Sequence, residues 1–202
     1  MLSQRTIVVL AASAVATLAL ADVSLTAVVE TYEVQGSTFE EVLASLDRNA
    51  PLIARTGQRH YGVTRISFSQ SATFQQALGE CELLSNDIRL EIEMVLPEWP
   101  GAAKADPLVA ARWTALSETI AAHEERHAEI AQDYLARMRA ELDQPRTAED
   151  CPTLKSEMNR RMDALVEEHR AAQEGFDEET RRGLAPRDMS AERTSPESKR
   201  LR

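Results

Sequence analysis

The sequence predicts an α+β domain, a small antiparallel sheet packed on long helices that end in an antiparallel pair, and two observations predict it. Residues 87–99 alternate apolar and charged side chains with period two, the pattern of a strand buried on one face. Residues 106–142 and 152–179 each repeat apolar side chains at the helical period and are joined by a short link, so they fold back on one another. The sequence has 202 residues. About 180 of them remain after the N-terminal segment described next, a length suited to one domain with a substantial core.

The chain opens with Arg5, an apolar run from Thr6 to about Ala19, and Ala19-Leu20-Ala21 before Asp22. That order is the charged, apolar and small-residue cleavage pattern of a secretory signal peptide, and the run is shorter than the ~20 residues a spanning helix needs. Residues 1–21 are therefore read as a signal peptide, 22–182 as the folded domain and 183–202 as a disordered polar tail broken by Pro186 and Pro196. The product is expected outside the cytoplasm, periplasmic or secreted, without stable membrane insertion after cleavage. A formal net charge of −10 argues against a nucleic-acid partner and against an anionic membrane surface. Nothing in the pattern sets an oligomeric state.

Residues 24–34 are rich in Val, Thr and Tyr and read as a strand, closed by Gly36. Ser37-Thr38-Phe39-Glu40 reads as a capping box, after which Phe39, Val42, Leu43 and Leu46 recur at helical spacing as far as Asn49-Ala50-Pro51. A strand is expected over 61–69, where Val63, Ile66 and Phe68 alternate imperfectly with polar residues. In the strand at 87–99, Ile88, Leu90, Ile92, Met94 and Leu96 share one face and Arg89, Glu91 and Glu93 the other, until Pro97 and Pro100 end it. The pair Cys81 and Cys151, in an exported chain, predicts a disulfide.

Asp106-Pro107 supplies an N-cap and a first-turn proline for the helix that follows. Its apolar stripe runs through Trp113, Leu116, Ile120, Ile130, Tyr134 and Met138, and His123 and His127 fill the gap in the same register. Two His four residues apart differ by about 40° around a helix, so both can reach one metal ion. The string His123-Glu124-Glu125-Arg126-His127 is the H-E-x-x-H pattern of zinc hydrolases, in which the Glu takes a proton from zinc-bound water. On a buried stripe the pair needs partners for its ring nitrogens, and Zn²⁺ satisfies both.

A catalytic zinc usually has three protein ligands. On the second helix Leu154, Met158, Met162, Leu165, Ala172 and Phe176 form the stripe, with His169 inside it. Counted from the turn at 1.5 Å per residue, His123 and His127 lie about 28 and 22 Å out and His169 about 25 Å, which favours His169 as the third ligand. Asp177 is the alternative, overshooting by about 10 Å if both helices are straight, and Glu129 lies off the His face. His60, Tyr61 and Tyr134 are candidate oxyanion donors on their chemistry.

On these residues the chain resembles a bacterial family of predicted secreted zinc-dependent proteases, described otherwise as a domain of unknown function, over most of the mature chain. The carriers are Met94-Val95-Leu96-Pro97-Glu98-Trp99, the His123–His127 string, the two outlying cysteines and the closing Phe176-Asp177-Glu178-Glu179-Thr180-Arg181-Arg182-Gly183. The resemblance implies a zincin-like fold and a zinc-dependent peptidase acting on peptide or protein, with Glu124 as general base. The family's closing segment reads tyrosine-aspartate, then threonine, then histidine-glycine, where this chain has Phe176 for the tyrosine and Arg182 for the histidine. A ligand at that last histidine is lost here, whereas the site is intact if the ligand is His169 or Asp177. The rival expectation is a non-catalytic envelope protein that binds a metal or a partner through the same fold.

Overall fold

A computed structural model describes residues 25–54 and 57–184, with side chains described as far as 180. The expected signal peptide at 1–21 lies outside those residues, as does the expected tail from 185 onward; Gly183 and Leu184 belong to the last helix. The architecture is α+β, one four-stranded sheet and three α-helices among the described residues.

Strand β1 (Leu25–Glu33) leads through Thr38 into helix α1 (Phe39–Asn49). The capping box falls one residue later than the sequence suggested. Thr38 Oγ1 accepts from Glu41 N–H, and the Glu41 carboxylate accepts from the backbone of Thr38 and Ser37. Short strands β2 (Leu52–Ile53) and β3 (Gln58–Arg59) then pair with each other, and neither shows a readable pattern at two residues each.

Strands β4 (Val63–Ala77) and β5 (Glu80–Glu98) form one long antiparallel hairpin, much longer than the strands expected at 61–69 and 87–99. Leu78-Gly79 makes its turn, with φ of 51° and 90°, the paired positive angles that suit the twist of a two-residue hairpin. The distal half of the hairpin alternates in burial as far as Phe74, but its inner face there is Gln70, Ala72 and Phe74 and a register shift falls at Thr73/Phe74, so the apolar alternation that marks a half-buried strand is weak in residue type.

The sheet order is β1-β5-β4, and β1 runs parallel to β5, from Leu25 opposite Leu90 to Glu33 opposite Glu98. The sheet is therefore mixed, correcting the expectation of an antiparallel one. The helix and two short strands between β1 and β4 carry the chain back before it re-enters the sheet, a return that side-chain alternation does not encode. Ile88, Leu90, Ile92 and Met94 of β5 face inward onto the long helices, while Arg89 and Glu91 face solvent.

Helix α2 (Pro107–Leu142) starts at the expected Asp106 cap, whose carboxylate accepts from Leu108 N–H. Its Ala128, Ala131, Leu135, Met138 and Leu142 pack on β5, joined by Met162 and Leu165 of helix α3 (Cys151–Leu184). Nearer its start, Trp113 and Ile120 pack against Val34, Val42, Leu46 and Trp99, so α1 and β1 close the other end.

Between the long helices, β6 (Thr147–Ala148) pairs with Cys81 and Glu82, and Cys151 is disulfide-bonded to Cys81 as expected. This link draws the start of α3 along the hairpin, where Leu154 and Met158 pack around Cys81. As a result α3 begins well beyond the end of α2. Glu141 faces Arg161, Arg137 faces Glu168, and His127 faces Gln173. The offset from a hairpin whose two helix ends are level is about eight residues, or about 12 Å at the helical rise.

A disulfide closing a sequence separation of 70 is expected to contribute up to about 4 kcal/mol. Urea unfolding of the Cys81→Ser/Cys151→Ser double variant should show a loss of that order. A loss below about 1 kcal/mol would mean the unfolded chain gains little freedom when the link is cut.

Candidate metal centre

The offset of α3 decides which of its residues meets the two His of α2. His169, Gln173 and Asp177 stand four residues apart on one face of α3, like rungs. Asp177 is the one that reaches the pair. Its Oδ1 lies 3.3 Å from His123 Nε2 and 3.0 Å from His127 Nε2, and the two Nε2 atoms are 3.2 Å apart. Among the described residues, His123, His127 and Asp177 form the group that could hold a metal ion.

His169 stands outside that group. Its Nε2 lies 2.8 Å from Gln173 Nε2, and its ring packs edge-on against Phe68 and Tyr134. The height that favoured His169 assumed level helix ends; the offset of about 12 Å moves it away and removes the overshoot of Asp177. The side chain of Arg182 lies outside the described residues.

The spacing of the three ligand atoms suits a metal. A tetrahedral ion with bonds of about 2.0–2.1 Å sets its ligands about 3.3–3.4 Å apart, close to the separations found, and three ligands leave one position for water or substrate. The ring of His123 stacks on Phe176 at 4.9 Å, and the Phe176 ring meets His127 edge-on at 5.0 Å. Burial opposes protonation of His127, but hydrogen bonds to Asp177 and Gln173 and the charges of Asp177 and Glu124 raise its pKa. Burial likewise opposes ionisation of Asp177, yet the bonds to His123 and His127 hold its carboxyl well below the usual carboxylate range. A proton and a metal compete for the same nitrogen of His127, and its raised pKa shifts that competition towards the proton.

Glu124 is only 4% exposed. Its Oε2 accepts from Thr64 Oγ1 at 2.8 Å, which ties the carboxylate to the start of β4. The space it occupies exists because residue 62 is glycine. A Cβ there would stand 2.6 Å from Glu124 Cγ and Oε1 and 2.8 Å from Ile120 Cγ2. Gly62→Ala is accordingly expected to displace the carboxylate and destabilise the fold by about 1–3 kcal/mol. Equal urea midpoints for Gly62→Ala and wild type would rule out that close packing.

The centre opens into a cleft of about 290 Å³ lined by His60, Gly62, Thr64, His123, Glu124 and Asp177 among others. A more apolar cleft of about 250 Å³ adjoins it across His60 and Gly62, lined also by Tyr61, Leu116 and Ile120. Of the three oxyanion candidates, His60 lines both clefts. The Tyr61 hydroxyl donates to Asp47 at 2.5 Å, and Tyr134 donates to the carbonyl of Glu168 on the α2–α3 seam. The Tyr61 bond and that of Tyr32 to the Tyr61 carbonyl fasten the His60–Gly62 segment over the site.

Sequence reading missed Gly62, Thr64 and Gln173. Gln173 had a visible signal, its place midway between His169 and Asp177 on one helical face. Gly62 and Thr64 had none, because their roles depend on β4 lying beside α2.

A family model described as "Bacterial protein of unknown function (DUF922)" matches residues 29–183. No curated protein and no solved structure matches the chain.

Proposed function

The chain belongs to the DUF922 family, and for this member we propose an exported zinc-dependent peptidase of zincin-like fold, with His123, His127 and Asp177 as ligands and Glu124 as general base. The observation that carries this reading is the ligand triangle, with edges of 3.0, 3.2 and 3.3 Å, beside a buried carboxylate from the same turn of α2. Zn²⁺ bound there supplies Lewis acidity towards a carbonyl and lowers the pKa of a water to about 7. Glu124 takes the proton of the attacking water and returns it to the leaving amine. Thr64 holds one of its oxygens, so the carboxylate keeps its orientation through both transfers. His60, on the cleft wall, is the proposed donor to the developing oxyanion.

A peptide substrate is favoured by the position of β4. It is an edge strand whose described partner is β5, and its residues Val63, Thr64 and Ile66 line the metal cleft. An extended peptide can pair along such an edge and bring a backbone carbonyl to the centre. Export is supported by the N-terminal pattern and by the disulfide. Among the described residues no helix is long and apolar enough to cross a membrane.

Zinc content and hydrolysis of a broad peptide mixture, measured on the purified mature protein with and without a chelator, test the reading together. One zinc per chain and chelator-sensitive cleavage are expected. Stoichiometric zinc without cleavage would leave a metal-binding protein and end the peptidase assignment.

A further inference from the structure

Behind the ligand triangle, the other two rungs of α3 are joined into a chain that ends on His127. Gln173 Oε1 lies 2.5 Å from His127 Nδ1, while Gln173 Nε2 donates to the backbone carbonyl of His127 at 3.0 Å. The same Nε2 lies 2.8 Å from His169 Nε2. Only one orientation of the amide satisfies these contacts. Turned over, its oxygen would face the His127 carbonyl oxygen, two acceptors with no hydrogen between them.

With the NH₂ group committed to that carbonyl and to His169, the amide oxygen faces Nδ1 of His127. That nitrogen must then carry the hydrogen, so Nε2 is the one left to bind a metal. His169 completes the lock. To accept from Gln173 its Nε2 must be unprotonated, and burial first, then the charge of His127, lower its pKa in keeping with that. At 7% exposure, between the edges of Phe68 and Tyr134, its ring has little freedom to turn.

The bracing is one-sided. Among the described residues, Nδ1 of His123 is buried without a hydrogen-bond partner, and that ring is held by stacking on Phe176.

We propose that Gln173, locked by His169, is the positioning residue that fixes the tautomer and ring orientation of His127 for metal binding. This rests on the metal centre proposed above. It gives His169 a role one step removed from the ion.

Zinc affinity, measured by competition with a chromophoric chelator at fixed pH, tests it without any activity assay. Gln173→Ala should weaken zinc by about 10–100-fold, the usual cost of losing a residue that orients a ligand. Gln173→Glu keeps an acceptor opposite Nδ1 but sets its second oxygen against the His127 carbonyl oxygen, so its zinc affinity should fall between those of Gln173→Ala and wild type. His169→Phe keeps the aromatic packing but removes the acceptor for Gln173, and should weaken zinc by less than Gln173→Ala. Wild-type affinity in Gln173→Ala overturns the inference, and so does a loss in Gln173→Glu as large as in Gln173→Ala. Circular dichroism melts of the metal-free variants separate this from unfolding; if Gln173→Ala does not fold, the other two variants decide. Failure of the wild-type protein to bind zinc is a different result, which removes the centre itself.

Discussion

Glu124→Gln is expected to lower the turnover number about 1000-fold, within the range a positioned general base contributes, while zinc content stays at one per chain. The amide has the shape of the carboxylate, so it fits the space beside Gly62 and still accepts from Thr64 Oγ1. It has almost no basicity, and basicity is the property the proposed step uses. Peptide hydrolysis and bound zinc measured on the same preparations test this. Equal rates for variant and wild type would assign any observed cleavage to something other than this centre, and the non-catalytic envelope reading would then stand.

Asp177→Ala should release the metal, with a loss of affinity above the roughly 100-fold that removing an orienting residue costs, because a proposed ligand itself is gone. His169→Ala should retain zinc, weakened by no more than about tenfold, because it acts through Gln173. Metal analysis after dialysis against a weak chelator separates the two. The opposite pattern, zinc lost from His169→Ala and kept by Asp177→Ala, would restore the third ligand that straight-helix counting favours. The distinction is sharp because both residues lie on one face of α3, eight positions apart, so only the sliding of one helix along the other chooses between them.

The long helices, α1 and the inner face of β5 were legible because each buries one stripe and exposes the other, a pattern written in side-chain type. The disulfide was legible from the number and setting of the cysteines. The mixed sheet was not, because a strand's alternation is the same whether its neighbour runs parallel or antiparallel. The distal hairpin was hidden for a different reason. Its inner face packs on the start of α3 through few apolar side chains, Ala72, Phe74, Cys81 and Leu83, so the alternation is weak in residue type.

The sequence by itself determined that His123 and His127 share a face and that Glu124 lies between them, since helical geometry alone dictates it. It also limited the third group to the inward face of one later helix. Only the tertiary structure decided that Asp177 meets the pair and that His169 stands behind Gln173, and that Gly62 makes room for the carboxylate Thr64 holds. The physical reason is the link through β6 and the Cys81–Cys151 bond. It shifts α3 by about 12 Å, a displacement between elements that no local pattern of residues records.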